Sequence, residues 1–566
     1  MTKVHAVRVA GAPPKHIVRL NKVSLVYAVF FVANLVTEPL KAYVSEPLPW
    51  ALNAILLNHD NVSFDTFVNS TYRMFATKYN NRTLIPTTVF AHEKAANIAL
   101  LRYNMSLPSN ELSRCSATLI QCPGTCGFDL SIDGREGVML FGNGIVDFFC
   151  DFLAQNASTQ ELSTPRYMCQ HLFLVGYFVA SNGCVWIEPL PTPRYFSVYH
   201  AIQVVETSAS SWLKFGYRVL VSCAILCESW RMYYAHYGPL LSNLKTIGMQ
   251  PVDRGPLEYN VHVGDPTWII LSHPYICTAM TVDVLFSTTY YTIALFRVSQ
   301  LQDLWQFVVG SFCGSSLVWA SYTAMRLSTQ VIKRFRWESY CEPLDPSIMA
   351  LSAAFYAGPM VNLICQSRLM LMFHVITQWV PKMKSEAMEL SSGMIGFLLM
   401  FASVAFIYSV LARAVLRHYQ HSKFGPTKYA LRFDTVRYND WKHLLLNLFI
   451  ESVLPTTTKS GGTLYHLFDD TTAYRKFPLF SSRGSDCFVR EFNIKNGQIT
   501  GQFRLSLLHG LDCHAVNSRL RIATCNDPHL NHAVCVCNET FCHHYSRLQL
   551  YKFVLHPGTS NCRWLL

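Results

Sequence analysis

Charge is scarce in this 566-residue chain: only 14% of its residues are Asp, Glu, Lys or Arg, against roughly 25% in an ordinary soluble domain. No regular repeat or low-complexity tract is present, and there is no GxSxG, HExxH, GxxxxGK[ST] or kinase motif. Acidic residues are missing from the first 22 positions, which carry Lys3, Arg8, Lys15, Arg19 and Lys22. What is abundant is apolar: 51% hydrophobic, 13% aromatic, with a mean hydropathy of +0.19. These features exclude a disordered scaffold, a coiled-coil rod and a collagen-like repeat, and they disfavour a soluble enzyme. The expected class is a polytopic α-helical membrane protein of about six transmembrane helices.

The net charge of +12 is not spread evenly. Ser45 to His200 holds 9 basic and 12 acidic residues, whereas Arg417 to Leu566 holds 18 and 10. Membrane orientation produces that asymmetry, so nucleic acid is not the expected partner.

Residues 1–22 read as a basic cytosolic leader and 23–44 as a signal anchor or first transmembrane helix, in which Glu38 and Lys41 can pair. Residues 45–205 read as a glycosylated extracytosolic domain of mixed α/β structure. Asn61, Asn69, Asn81, Asn104 and Asn156 each begin an Asn-x-Ser/Thr triplet. One triplet is weak evidence, but a dense group beside a membrane-targeting segment is strong. Cys115, Cys122, Cys126, Cys150, Cys169 and Cys184 lie in the same stretch, an even set expected to form disulfides in an oxidising compartment. Within it, Ala91 to Tyr103 shows helical apolar spacing, and His171 to Ala180 is a continuous apolar run of buried-strand length.

Residues 206–416 are expected to hold a five-helix transmembrane bundle, with spans near 212–230, 268–296, 304–325, 348–375 and 392–416. Basic residues in the connections place both termini in the cytosol of a plasma membrane or endomembrane protein. Residues 417–566 read as a basic cytosolic α+β domain, with strand-like runs around Phe488-Val489 and Ile499 to Leu508 and a linker over Thr456 to Thr463.

Asp283 falls within an apolar run, where an unpaired carboxylate is costly. It therefore marks either an ion site or a buried pair, with Arg218 and Arg368 as partners. Gly358-Pro359, followed by Asn362, Gln366 and Arg368, predicts a broken helix with a polar face. The small-residue ridge Gly310-xxx-Gly314 predicts close helix packing, inside the chain or between copies in a homo-oligomer. The tail offers thiols and imidazoles in Cys525, His529, Cys535, Cys537, Cys542 and His543, donors that can bind zinc, although their spacing matches no standard zinc pattern. No other cofactor is expected.

The layout of an anchor, a glycosylated loop and further spans is similar in arrangement to polycystin and mucolipin cation channels. Such channels need a filter between their last two spans, and the Ile376–Leu390 connection is too short and too basic for one. The functional expectation is therefore a receptor-like, non-enzymatic membrane glycoprotein binding an unknown ligand. A secondary transporter or ion-conducting protein using Asp283 and the Gly358-Pro359 break is the alternative.

Overall fold

The computed structural model describes residues 16–52, 63–106, 140–161, 166–246, 256–299, 303–344, 346–365, 386–423, 458–460, 478–481, 485, 487–505, 521–524 and 534–537. The chain enters through strand β1 (Ile17–Leu20) and helix α1 (Lys22–Val36). Asn21 caps that helix, its Oδ1 accepting from the Ser24 backbone N–H at 2.9 Å. After the 3-10 turn Glu38–Val44 and α2 (Phe64–Lys78) come β2 (Phe90–Glu93), β3 (Ile98–Ser106), α3 (Asn143–Ala154), α4 (Ala157–Gln160), β4 (Arg166–Leu174), β5 (Phe178–Pro189) and β6 (Tyr195–Val204).

The helical part follows as α5 (Ser208–Met232), α6 (Tyr237–Thr246), strand β7 (Leu257–His262), α7 (Thr267–Leu271), α8 (Pro274–Phe286), α9 (Thr288–Val298), α10 (Leu304–Ser315) and α11 (Val318–Phe335). It continues through α12 (Pro346–Phe355), a π turn at Tyr356–Met360, α13 (Val361–Cys365), β8 (Ala387–Glu389) and α14 (Ser391–Lys423). Strands β9 (Thr458–Ser460), β10 (Cys487–Asn493) and β11 (Ile499–Leu505) complete a sheet, and β12 (Arg521–Thr524) pairs with β13 (Val534–Cys537).

Two larger sheets organise the described residues. One runs β2-β3-β6-β5-β4-β8, antiparallel except where β8 joins β4 in parallel. The other runs β1-β7-β10-β11-β9 and gathers strands from both ends of the chain. Helices pack against both. Phe296 of α9 packs with Leu101, Leu172 and Ile202 of the six-stranded sheet. Beside the other sheet, the Tyr237 hydroxyl of α6 accepts from the Gly264 backbone N–H, just after β7.

The polytopic helical expectation does not hold. Among the described residues only one helix, over Ser391–Val415, is both long and apolar enough to cross a membrane, with mean hydropathy 2.3. Counting each bent pair as one span raises the number to three at most. The fold is mixed α/β with two sheets, and a multi-pass localisation with both termini cytosolic is unsupported.

Local chain chemistry explains the difference. Pro39 follows the end of α1, and the next turn bends by 65°. The run expected to span 268–296 is three helices, with a 72° bend where Ser287 separates α8 from α9. The run expected over 304–325 breaks after Ser315, leaving α10 only 12 residues long, where a crossing helix needs about 20. Helix α5 is continuous for 25 residues but carries Lys214, Arg218, Glu228 and Arg231. Much of the apolar sequence serves an internal core: Ile270, Cys277, Met280, Trp319 and Tyr322 are buried in one cluster.

Three smaller expectations also change. Ala91 to Tyr103 is not helical but spans the β2–β3 hairpin, where Phe90 pairs with Leu101. His171 to Ala180 is not one buried strand but the end of β4, a turn and the start of β5. Within the expected linker over Thr456 to Thr463, Thr458–Ser460 forms β9 against β11.

Candidate functional site

The six-stranded module has two chemically different ends. At one end, the strands finish around Arg166, Glu188 and Tyr195. Four of the predicted acceptor asparagines lie here and all are exposed: Asn69, Asn81, Asn104 and Asn156. Asn69 on α2 accepts from the Tyr167 hydroxyl at 2.9 Å. Asn81 donates to Glu188 Oε2 at 2.9 Å, and its carbonyl accepts from the Tyr199 hydroxyl. Asn104 of β3 accepts from Ser197 at 3.1 Å, and Asn156 stands at the N-cap of α4. Asn61 lies outside the described residues.

An aromatic stack supports this end. Tyr72 lies on Tyr167 with ring centroids 3.7 Å apart, and Phe75, Trp186 and Tyr199 stack in sequence beneath α2. Alternation along β5 and β6 puts Trp186 and Tyr199 on one face, and Tyr72 and Phe75 of α2 cover it. Beside them, directly opposed in register, Cys169 of β4 and Cys184 of β5 form a disulfide with Cα atoms 4.1 Å apart. Cys150 is also disulfide-bonded, while Cys115, Cys122 and Cys126 lie outside the described residues.

At the other end of the sheet, buried charges join the module to the helices. Arg218 of α5 is fully buried and holds Glu46 in a two-pronged pair, Nη1 to Oε2 at 2.7 Å and Nη2 to Oε1 at 2.8 Å. Its Nε donates to Asp283 Oδ1 at 2.7 Å, and Nη2 also reaches the Ser287 hydroxyl at 2.8 Å. Lys214, one turn earlier, pairs with Glu206 at 2.5 Å and with Glu46 at 3.4 Å. Tyr290 donates to Glu206 and accepts from Asn97 Nδ2, the latter at 2.8 Å. Burial pushes the Glu46 carboxyl up, but Arg218 and Lys214 outweigh it and hold it below the ordinary carboxylate range.

This network ties together the turn after α1, the end of β6, α5 and the α8–α9 bend. Arg218 and Asp283, singled out in the sequence as possible partners, meet here. Arg368 and Gln366 lie outside the described residues. Asn362 is buried on α13, and Pro359 sits in the π turn that breaks the helix. Glu46, Lys214 and Glu206 were not singled out. The signal was present in the spacing of Lys214 and Arg218, four apart on one helix face and facing inward.

The small-residue ridge is occupied within the chain. A Cβ on Gly314 would sit 3.0 Å from Ala357 Cβ, and one on Gly310 would come within 2.8 Å of Arg297 and Val298 side chains. A Cβ on Gly358 would collide with Ser311 at 2.1 Å. These glycines let α10 approach α9 and the π turn closely.

Two clefts between the helices each leave about 40 Å³ of room, enough for a few waters. One is apolar; the other borders Glu46, Asp283 and Ser287. Among the described residues no group of three His, Cys, Asp or Glu is placed to hold a metal ion. Of the expected zinc donors, Cys535 and Cys537 lie on β13, and Cys525, His529, Cys542 and His543 lie outside the described residues. No family model, curated protein or solved structure matches the chain.

Proposed function

We propose that the chain is a membrane-anchored glycoprotein of recognition type, non-enzymatic, whose six-stranded module binds a ligand outside the cytosol. The polarity of that module carries the reading. Four exposed Asn-x-Ser/Thr asparagines gather at one end of the sheet, while β8, added at its edge, leads directly into the apolar helix Ser391–Val415 at the other. A module so arranged presents its glycan-bearing end away from its anchor. The disulfide between Cys169 and Cys184 fits an oxidising compartment. Binding is favoured over catalysis because the acids and bases of the Arg218 network are committed to one another. An ion-coupled transporter would need Asp283 to exchange partners, whereas its Oδ1 is held by a fully buried arginine.

The anchor is tested by charge insertion. Leu399 and Leu411 are exposed on α14, so replacing them leaves the packed core intact. An arginine near the centre of a span costs about 2.5–3.5 kcal/mol on insertion scales. The wild-type chain is expected in the membrane pellet after alkaline carbonate extraction, and the Leu399→Arg/Leu411→Arg variant in the supernatant or degraded. Equal retention of both proteins would refute anchoring through this helix.

A further inference from the structure

The turn between β4 and β5 puts apolar residues into solvent. Leu174 pairs with Phe178, leaving Val175, Gly176 and Tyr177 as a three-residue loop. Its residues are large, apolar and in solvent: Val175 is 68% exposed, Tyr177 86% and Phe178 70%. Most singly exposed apolar side chains need no explanation, but a contiguous group at a hairpin tip does.

The tip is also held in a costly shape. Val175 has φ of 56° and Gly176 of 71°; a β-branched residue in the left-handed region is a true outlier. A buried carboxylate fixes it there. Glu389 accepts from the Val175 N–H at 3.0 Å through Oε1 and from the Gly176 N–H at 2.7 Å through Oε2. Ser391 Oγ accepts from the Val175 N–H as well, at 2.7 Å. Strain that surrounding groups maintain is a pointer to function.

Glu389 and Ser391 belong to the junction where β8 becomes α14. Leu390, between them, donates its N–H to the Phe173 carbonyl at 2.9 Å. The apolar tip is therefore clamped to the first residue of the helix Ser391–Val415. At 1.5 Å per residue, those 25 residues extend ~37 Å, longer than the ~30 Å hydrocarbon core. Ser391 then stands at headgroup level, and so does the turn bonded to it. Tyrosine with an apolar neighbour suits that depth, where aromatic residues concentrate in membrane proteins.

We infer that the Val175–Phe178 tip is a membrane-inserting hairpin that seats the six-stranded module on the bilayer beside its anchor. The inference rests on the anchoring proposed above, and the occupant is lipid rather than protein because the clamp places the tip at the start of the anchor. The tip gives the module a lipid contact of its own, one hairpin away from the anchor. The glycan-bearing end, reached along the 12 residues of β5, is then carried roughly 35–40 Å from the lipid.

Photocrosslinking tests this on the full chain in phosphatidylcholine proteoliposomes. Benzoylphenylalanine replaces Tyr177, or Leu399 in the anchor, or Tyr195 at the far end of the sheet, all three exposed positions. The expected result is a lipid adduct at 177 comparable with that at 399, and background at 195. Adduct at 399 with none at 177 overturns the hairpin and leaves the anchor standing. Absence at both positions overturns both. Equal adduct at 177 and 195 overturns the seated orientation.

Discussion

His200 sits on β6 with both ring nitrogens buried and without hydrogen-bond partners, between the rings of Phe141 and Phe296. Burial alone holds it neutral, pushing its pKa down to about 3. His92 is pushed to about 3 as well, first by burial and then by Arg297, whose guanidinium donates to its Nδ1 at 3.0 Å. The sign follows from linkage. These histidines take up protons on unfolding below ~6.5, so stability falls as pH drops below that value and levels off near 3. Equilibrium denaturation at steps between pH 7 and 4 is expected to show less acid sensitivity in His200→Phe, by about 1.4 kcal/mol per pH unit. A parallel pH profile for variant and wild type would count against a neutral buried imidazole. Nothing in the sequence around His200 distinguishes it from a surface histidine; its environment is made by Phe296, almost a hundred positions away.

Elements are joined here by charge as much as by apolar packing. Arg218 alone contacts the turn after α1 through Glu46 and the α8–α9 bend through Asp283 and Ser287. Removing one partner of a buried pair costs about 3–5 kcal/mol, because the others remain buried and uncompensated. Arg218→Met is expected to lose that much in chemical denaturation, and adding Glu46→Gln should recover part of it. A loss below about 1 kcal/mol would mean that water replaces the guanidinium without penalty. The pair was legible because a carboxylate in an apolar run demands a cation. The bends were not, because hydropathy is blind to helix direction: Ser287 ends α8 without lowering the apolar average of its neighbours. Strands were legible at Phe488-Val489 and illegible at Ala387–Glu389, whose three residues pair with the edge of β4, and at β3, most of whose nine residues lie in a stretch of helical apolar spacing. The hairpin tip was hidden for a related reason. Val175-Gly176-Tyr177 continues the apolar run of its strands, and only one glycine marks the turn.

At the scale of the whole molecule, the sequence suggested a bundle of spans, and the described residues instead form two larger sheets with helices of which several are short or bent. Apolar composition was a poor guide to how the apolar residues are arranged. The six-stranded module keeps the features that motivated the functional reading: exposed acceptors, a cross-strand disulfide and a strand leading into Ser391–Val415. The most direct test of that reading is glycan mapping by mass spectrometry on the full chain recovered from cell membranes, with and without glycosidase. Glycans are expected on Asn69, Asn81, Asn104 and Asn156, and Asn→Gln replacement of all four should abolish most of the glycosidase mobility shift. Unmodified asparagines at all four positions would contradict the account, since the module would then never have entered the compartment its proposed role requires.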